Sequence, residues 1–88
     1  MSTPFPPMMA EVAIYPLREP EVGLFLLESI ERLRRPGLRV EPGPMSTLVV
    51  GEAHEVFAAL EEAFAWAGEE RQVVLRVTMT GGAPAPVP

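Results

Sequence analysis

The segment PMSTLVVGE, from Pro44 to Glu52, contains a turn, a short apolar run and the start of a helix. Proline and glycine before Met45 predict a tight turn, and the β-branched residues between Thr47 and Val50 favour a strand. The sequence before this segment has the pattern strand, helix, strand, and the sequence after it has the pattern helix, strand. The segment therefore predicts the centre of a β-α-β-β-α-β chain.

The element order predicts one fold class. The predicted strands are residues 9–17, 38–41, 47–50 and 72–80, and the predicted helices are residues 19–35 and 52–67. Pro20 suits the first turn of the first helix, and Gly68 suits the C′ position that follows the second. The order predicts an α+β fold, a ferredoxin-like βαββαβ sandwich with a four-stranded antiparallel sheet and two helices on one face.

Alternation within the strands assigns side chains to two sheet faces. The predicted helix-facing side chains are Val12, Ile14, Leu38, Val40, Leu48, Val50, Val73, Leu75 and Val77. The predicted outer-face side chains are Glu11, Ala13, Tyr15, Arg39, Glu41, Thr47, Val49, Val74, Arg76 and Thr78. The outer set mixes apolar residues with both charge signs, whereas a solvated face carries fewer apolar residues. We therefore expect a second subunit to cover part of this face and a ligand site to lie between two sheets.

The second helix has the clearest apolar periodicity. Its predicted inward side chains are Ala53, Val56, Phe57, Leu60, Ala63, Phe64 and Ala67. Trp66 falls roughly on the opposite side of the helix, so we expect it to be exposed or at an interface.

Composition bounds the organisation of the chain and its partners. The Pro-rich residues 1–8 and Gly/Pro-rich residues 81–88 predict flexible or disordered tails around one domain at residues 9–80. A net charge of −5 argues against nucleic-acid binding. The sequence contains no cysteine, which excludes disulfides, thiolate nucleophiles and sulfur-ligated metals. No targeting signal or bilayer-length apolar run is present, so we expect a cytoplasmic protein without membrane contact.

The sequence offers little support for catalysis. The single histidine, His54, has no partner at metal-ligand spacing, and an exposed helix residue is the simpler interpretation. Ser46 lacks the G-x-S-x-G context of a serine nucleophile. The glutamates near residues 61–70 fit a solvated helix end better than a carboxylate pair. We therefore expect no enzyme activity, no catalytic residue, no metal and no cofactor.

Several polar side chains fit ligand binding better. The hydroxyls of Ser46 and Thr47 follow a Pro-rich turn and can bond either a ligand or the turn backbone, and the sequence leaves both open. Tyr15 offers a stacking surface with a polar group. Glu11, on the same strand face, can hold an amine or a cationic ring.

A structural role for Glu11 is the simpler expectation. Arg39 and Arg76 lie on the same predicted face of neighbouring strands. A cross-strand ion pair with either of them would satisfy the carboxylate of Glu11 without a ligand.

Three segments together resemble the thiamine-binding, YkoF-like protein family: AEVAIYPL in strand one, PMSTLVVGE across the hairpin and EVFAAL in helix two. The order Tyr15-Pro16-Leu17, Met45-Ser46-Thr47 and Gly51-Glu52 carries this resemblance, which extends over about residues 10–80. It implies ferredoxin-like, non-enzymatic binders of thiamine or its hydroxymethylpyrimidine moiety. It also implies that such domains associate through their sheets into dimers or tetramers.

The resemblance places the expected ligand contacts around strand one and the hairpin. Together with the residues on the outer sheet face, the candidate ligand-binding residues are Glu11, Tyr15, Met45, Ser46, Thr47 and Thr78. Since this chain has one predicted domain, a pocket between two sheets requires two subunits. The alternative function is an oligomeric structural or interaction protein without a small-molecule ligand, whose outer sheet face is filled by partner side chains.

Overall fold

Six elements build the chain in the computed structural model, which describes residues 7–81. They are β1 (Met8–Pro16), α1 (Gly23–Leu33), β2 (Arg39–Pro42), β3 (Thr47–Gly51), α2 (Ala53–Ala67) and β4 (Val73–Thr80). The strands form one antiparallel sheet in the order β2-β3-β1-β4. The predicted α+β ferredoxin-like sandwich is confirmed. Most of the predicted tails, residues 1–6 and 82–88, lies outside the described residues.

The core lies between one face of the sheet and the two helices. Its buried apolar side chains are Ala10, Val12, Ile14, Phe25, Leu33, Val49, Val56, Ala59, Leu60, Ala63 and Ala67. Removal of this apolar surface from water is the main force that holds the helices on the sheet. The alanines of α2 let the helix backbone approach the strands closely.

The predicted faces of β3 were wrong. Val49 lies opposite Ala10 of β1 and is fully buried, and Thr47 is buried on the same helix-facing side. Leu48 and Val50 therefore point to the outer face of the sheet. A shift of one residue exchanges the two faces of a strand, and this strand is apolar or β-branched at nearly every position. Its alternation could not specify which face is buried, so the preceding turn sets the register.

Both boundaries of α1 differ from the prediction, whereas α2 ends at Ala67 as predicted. α1 begins at Gly23 and not near Pro20, and Val22 is its N-cap residue. Arg18 has a φ of 59°, in the left-handed region that non-glycine residues rarely adopt. The chain therefore turns sharply between β1 and α1 before the helix starts. Gly68 is the C-cap residue of α2 with a φ of −86°, so it does not serve as a left-handed C′ glycine.

The predicted inward face of α2 is correct at Val56, Leu60, Ala63 and Ala67. It is wrong at Ala53, Phe57 and Phe64, which are exposed. Phe57 and Phe64 are 53% and 47% exposed. Trp66 is half-buried and stacks on Phe25 of α1, with ring centroids 5.6 Å apart. Because α2 is apolar around much of its circumference, its periodicity alone does not define the buried stripe.

Two arginines attach the helices to their surroundings. The guanidinium of Arg35 lies 3.3 Å from carboxylate oxygens of both Glu55 and Glu62, which connects the end of α1 to α2. Arg71 donates to the carbonyl oxygen of Ala67 at 2.8 Å. The Arg35 pairs thus connect the two helices, and the Arg71 bond caps the C-terminal end of α2.

The register of β3 predicts different effects for two adjacent valines. Val49→Ala should lower the free energy of unfolding by about 2 kcal/mol, because it removes buried methyl groups from the core. Val50→Ala should lower it by less than half as much, because this side chain is half-buried on the outer face. Chemical denaturation followed by circular dichroism measures both, at a protein concentration where sedimentation shows a monomer, so that no subunit contact adds to the loss at Val50. A larger loss for Val50→Ala would contradict the register.

Candidate functional site

β1 extends beyond its neighbour β3. The strand has nine residues, but β3 pairs only with Met8 through Val12. On the other side, β4 pairs with β1 as far as Pro16. Within the described part of the chain, residues 13–16 therefore have one paired edge and one open edge. The open edge presents backbone groups that need hydrogen-bond partners.

A cavity of about 250 Å³ occupies the space beside this open edge, and we call it the β1 cavity. One wall is the end of β1, and a second is the turn that precedes β3. The third wall is apolar and comes from α1, where Val22, Leu26, Ile30 and Leu33 line the cavity. Their spacing of three or four residues places them on one stripe of the helix. The cavity is therefore apolar on its helix side and polar at its strand edge.

The turn before β3 forms the wall of the cavity that carries hydroxyl groups. The Gly43 N–H donates to the Ser46 carbonyl oxygen at 2.8 Å and closes the turn. A Cβ atom at Gly43 would lie 3.0 Å from that oxygen, so a residue without a side chain permits the close approach. Ser46 is half-buried, Thr47 is 9% exposed and Met45 is 89% exposed. Met45 is thus free to move over a bound molecule.

The six predicted ligand-binding residues separate into two places. The β1 cavity brings together Tyr15, Met45, Ser46 and Thr47. Glu11 and Thr78 lie on the outer face of the sheet, in a depression of about 230 Å³ that we call the outer groove. The residues that line the outer groove are Glu11, Ala13, Met45, Ser46, Arg76 and Thr78. Ala13, Met45 and Ser46 line both spaces, so the two are adjacent.

The outer groove contains charges that sequence analysis expected to be paired. Arg39 instead contacts Glu41 within its own strand, at 2.6 Å between Nε and Oε2. Among the ion pairs of residues 7–81, neither Glu11 nor Arg76 takes part. The expected cross-strand pair of Glu11 with Arg39 or Arg76 is therefore not formed.

Sequence reasoning missed the contribution of α1 to the site. No residue of this helix was a candidate ligand contact, but Val22, Leu26 and Ile30 line the β1 cavity. Val22 and Leu26 are each 40% exposed, and Ile30 is half-buried. The available signal was weak: the stripe from Val22 to Leu33 runs beside the buried stripe of Phe25 and Ser29 on the same helix. The sequence correctly predicted that Arg76 lies on the outer sheet face but gave it no functional role.

The described residues contain no cluster of three or more histidine, cysteine, aspartate or glutamate residues that could hold a metal ion. His54 is a solitary side chain at the start of α2, with its Nδ1 3.5 Å from Glu52 Oε2. It lines neither the β1 cavity nor the outer groove. Over residues 7–81, no helix has the length and apolar character needed to cross a bilayer.

Three solved structures share this fold. A hypothetical protein from Methanocaldococcus jannascii is 26% identical, with a TM-score of 0.81 over 91% of this chain and 84% of that chain. A putative thiamine biosynthesis/salvage protein from Thermotoga maritima is 22% identical, with a TM-score of 0.75 over 84% of this chain and 82% of that one. A Streptococcus pneumoniae protein is 22% identical, with a TM-score of 0.78 and 89% coverage of both chains. No curated protein matches the chain.

The sequence also matches a family whose description is thiamine-binding protein. The match extends over residues 10–80, from the first strand to the end of the last one. It therefore includes the β1 cavity, the outer groove and the three segments that carry the resemblance noted in the sequence. The chain belongs to the thiamine-binding protein family.

Proposed function

We propose that this protein binds thiamine or its hydroxymethylpyrimidine moiety without catalysing a reaction, and that the pyrimidine ring enters the β1 cavity. One observation carries the proposal. A strand edge with open backbone groups lies inside a small apolar cavity, in a chain of the thiamine-binding family. Such an arrangement suits a flat ring with polar groups along its edge.

The open edge of β1 provides the polar recognition in this proposal. An aminopyrimidine carries ring-nitrogen acceptors and an exocyclic amine donor along its edge. A strand edge offers N–H donors and C=O acceptors, and extended peptides use the same groups when they add to a sheet. Backbone groups alternate between the two edges of a strand, and the Leu17 N–H bonds Gln72 on the β4 side, so the groups of Ala13 and Tyr15 also point to β4. A pyrimidine that enters the β1 cavity edge-on can thus hydrogen-bond to the N–H and C=O of Ile14, while Pro16 provides only its carbonyl.

The remaining walls suit the ring faces and the substituents. Leu26 and Ile30 offer an apolar surface to one face of the ring, and Tyr15 or the mobile thioether of Met45 can cover the other. The hydroxyl of Ser46 lies on the opposite wall from α1, where it can bond the hydroxymethyl group. The cavity is below the range of about 300–1,000 Å³ that holds drug-sized ligands, so the thiazolium of thiamine would extend out of it.

A second copy of the chain is part of the proposal. The outer face of the sheet exposes apolar side chains, with Met9 44% and Tyr15 39% exposed and Leu48 and Val50 half-buried. A second sheet packed on this face would bury them and close the outer groove, which makes the pocket a feature of a sheet-mediated subunit interface. Assembly into a dimer or a tetramer stays a prediction, and so does the cytoplasmic location of the protein.

The same exposed surface favours the alternative function, an oligomeric structural or interaction protein without a small ligand. In that case partner side chains fill the outer groove, and the β1 cavity takes no thiamine. Binding measurements on the intact chain distinguish the two functions, because only the first gives saturable heat with thiamine.

Filling the β1 cavity should weaken binding. Leu26→Trp places a larger side chain in the cavity, so we expect thiamine and hydroxymethylpyrimidine to bind at least about tenfold more weakly, a loss of about 1.4 kcal/mol. Leu24→Trp is the matched control, because Leu24 is 68% exposed on the same helix and does not line the cavity. Isothermal titration calorimetry measures both, with circular dichroism to verify folding. Wild-type affinity in a folded Leu26→Trp variant would contradict the site.

The proposed subunit interface predicts a second difference. Leu48→Arg puts a charge on the outer sheet face, where it cannot be buried without a partner, so we expect the variant to sediment as a monomer. Leu27→Arg, at a position that is 63% exposed on α1, should leave the assembly intact. Sedimentation velocity of both variants and the wild type tests this. A monomeric wild type at tens of micromolar would exclude the interface.

A further inference from the structure

The outer groove contains two opposite charges that nothing else in the described chain neutralises. Glu11 and Arg76 both line it, and neither belongs to an ion pair of residues 7–81. In the sheet, Glu11 lies opposite Thr78 and Arg76 lies opposite Ala13. The two charges therefore occupy neighbouring rows of the same face, with hydroxyls beside them.

Unlike Arg76, most of the other arginines contact a carboxylate or an aromatic ring. Ion pairs engage the arginines at positions 34, 35, 39 and 71, and the guanidinium of Arg32 lies 5.1 Å from the centre of the Trp66 ring. The Arg39–Glu41 pair shows that this sheet face does support contacts between neighbouring charges. Arg76, in contrast, keeps its five N–H donors available on the edge strand β4.

The position of the groove connects it to the proposed ligand. Ala13, Met45 and Ser46 line both the outer groove and the β1 cavity. The small side chain of Ala13 does little to separate the β1 cavity from the outer groove, and Met45 is exposed enough to move aside. Any part of a ligand that extends from the cavity past Ser46 thus enters a groove that contains a carboxylate, a guanidinium and two hydroxyls.

We propose that the outer groove binds the charged arm of the ligand and that the preferred ligand is a zwitterion, an aminopyrimidine whose arm carries both a cationic ring and a phosphate monoester. This inference rests on the proposed function and deepens it. The carboxylate of Glu11 attracts the cationic ring, and the planar guanidinium of Arg76 suits phosphate oxygens. The hydroxyls of Ser46 and Thr78 complete the donors around the phosphate.

Because the chain is acidic overall, a phosphate needs a nearby cationic side chain to bind. A net charge of −5 disfavours the approach of an anion. A phosphate would therefore gain affinity only through direct contact with a guanidinium such as Arg76. The negative net charge already attracts a cationic ring, so Glu11 mainly determines where that ring binds.

Three probes separate the contributions: hydroxymethylpyrimidine is neutral, thiamine adds the cationic ring, and thiamine monophosphate adds the phosphate. We expect the affinity of the wild-type protein to rise in that order by calorimetry. Arg76→Gln should lower the affinity for thiamine monophosphate about tenfold, which is typical for loss of a charge-assisted contact, and leave thiamine nearly unchanged. Glu11→Gln should weaken both thiamine and its phosphate and leave hydroxymethylpyrimidine unchanged.

Arg39→Gln is the matched control, because it removes the same charge from the same sheet face outside the outer groove. It should preserve the order of the three affinities. Equal binding of thiamine and thiamine monophosphate by the wild type, or a preference that survives Arg76→Gln, would overturn the inference while leaving the pyrimidine site intact. Dissociation of the oligomer in the Arg76 and Glu11 variants, with unchanged ligand order, would overturn it too and assign the charges to a contact between subunits. No binding of any probe would overturn the proposed function together with the inference.

Discussion

β3 is five residues long and pairs with only part of the nine-residue β1. This difference in length creates the open strand edge, and the cavity follows because α1 crosses above the gap and the β2–β3 turn borders it. Open backbone groups beside apolar walls are unfavourable unless water or a ligand bonds them. The pairing of β1 with β4 stabilises one edge of β1. The other edge stays unpaired beyond the end of β3, and this unpaired part can bind a ligand.

The turn before β3 divides one recognition surface into two parts. On its helix side it faces a small apolar space suited to a neutral flat ring. On its outer side it faces a groove with a carboxylate and a guanidinium, which suits charged groups. Ser46 and Met45 lie between these parts. A ligand that spans them is recognised by the shape and hydrogen-bonding pattern of its ring in one part and by the charge of its arm in the other.

The fold was predictable because the six elements have distinct periods and clear breaks such as Pro36-Gly37. The site was only partly predictable. Val49 and Leu48 are both apolar, so alternation could not assign the buried face of β3 before the pairing with β1 was known. Similarly, the sequence of α1 does not reveal that Leu26 lines a cavity, because that depends on where β3 ends. The unpaired state of Arg76 depends on side-chain positions that no linear pattern encodes.

The most direct test of the central claim is an amide chemical-shift titration of the isotope-labelled protein with hydroxymethylpyrimidine. If the ring pairs with the open edge of β1, the largest saturable shifts should fall on the Ile14 amide and on Ser46 and Thr47. The amides near His54, which lies outside the cavity, should stay unchanged. Saturable shifts confined to other elements, or none at all at millimolar ligand, would contradict the account.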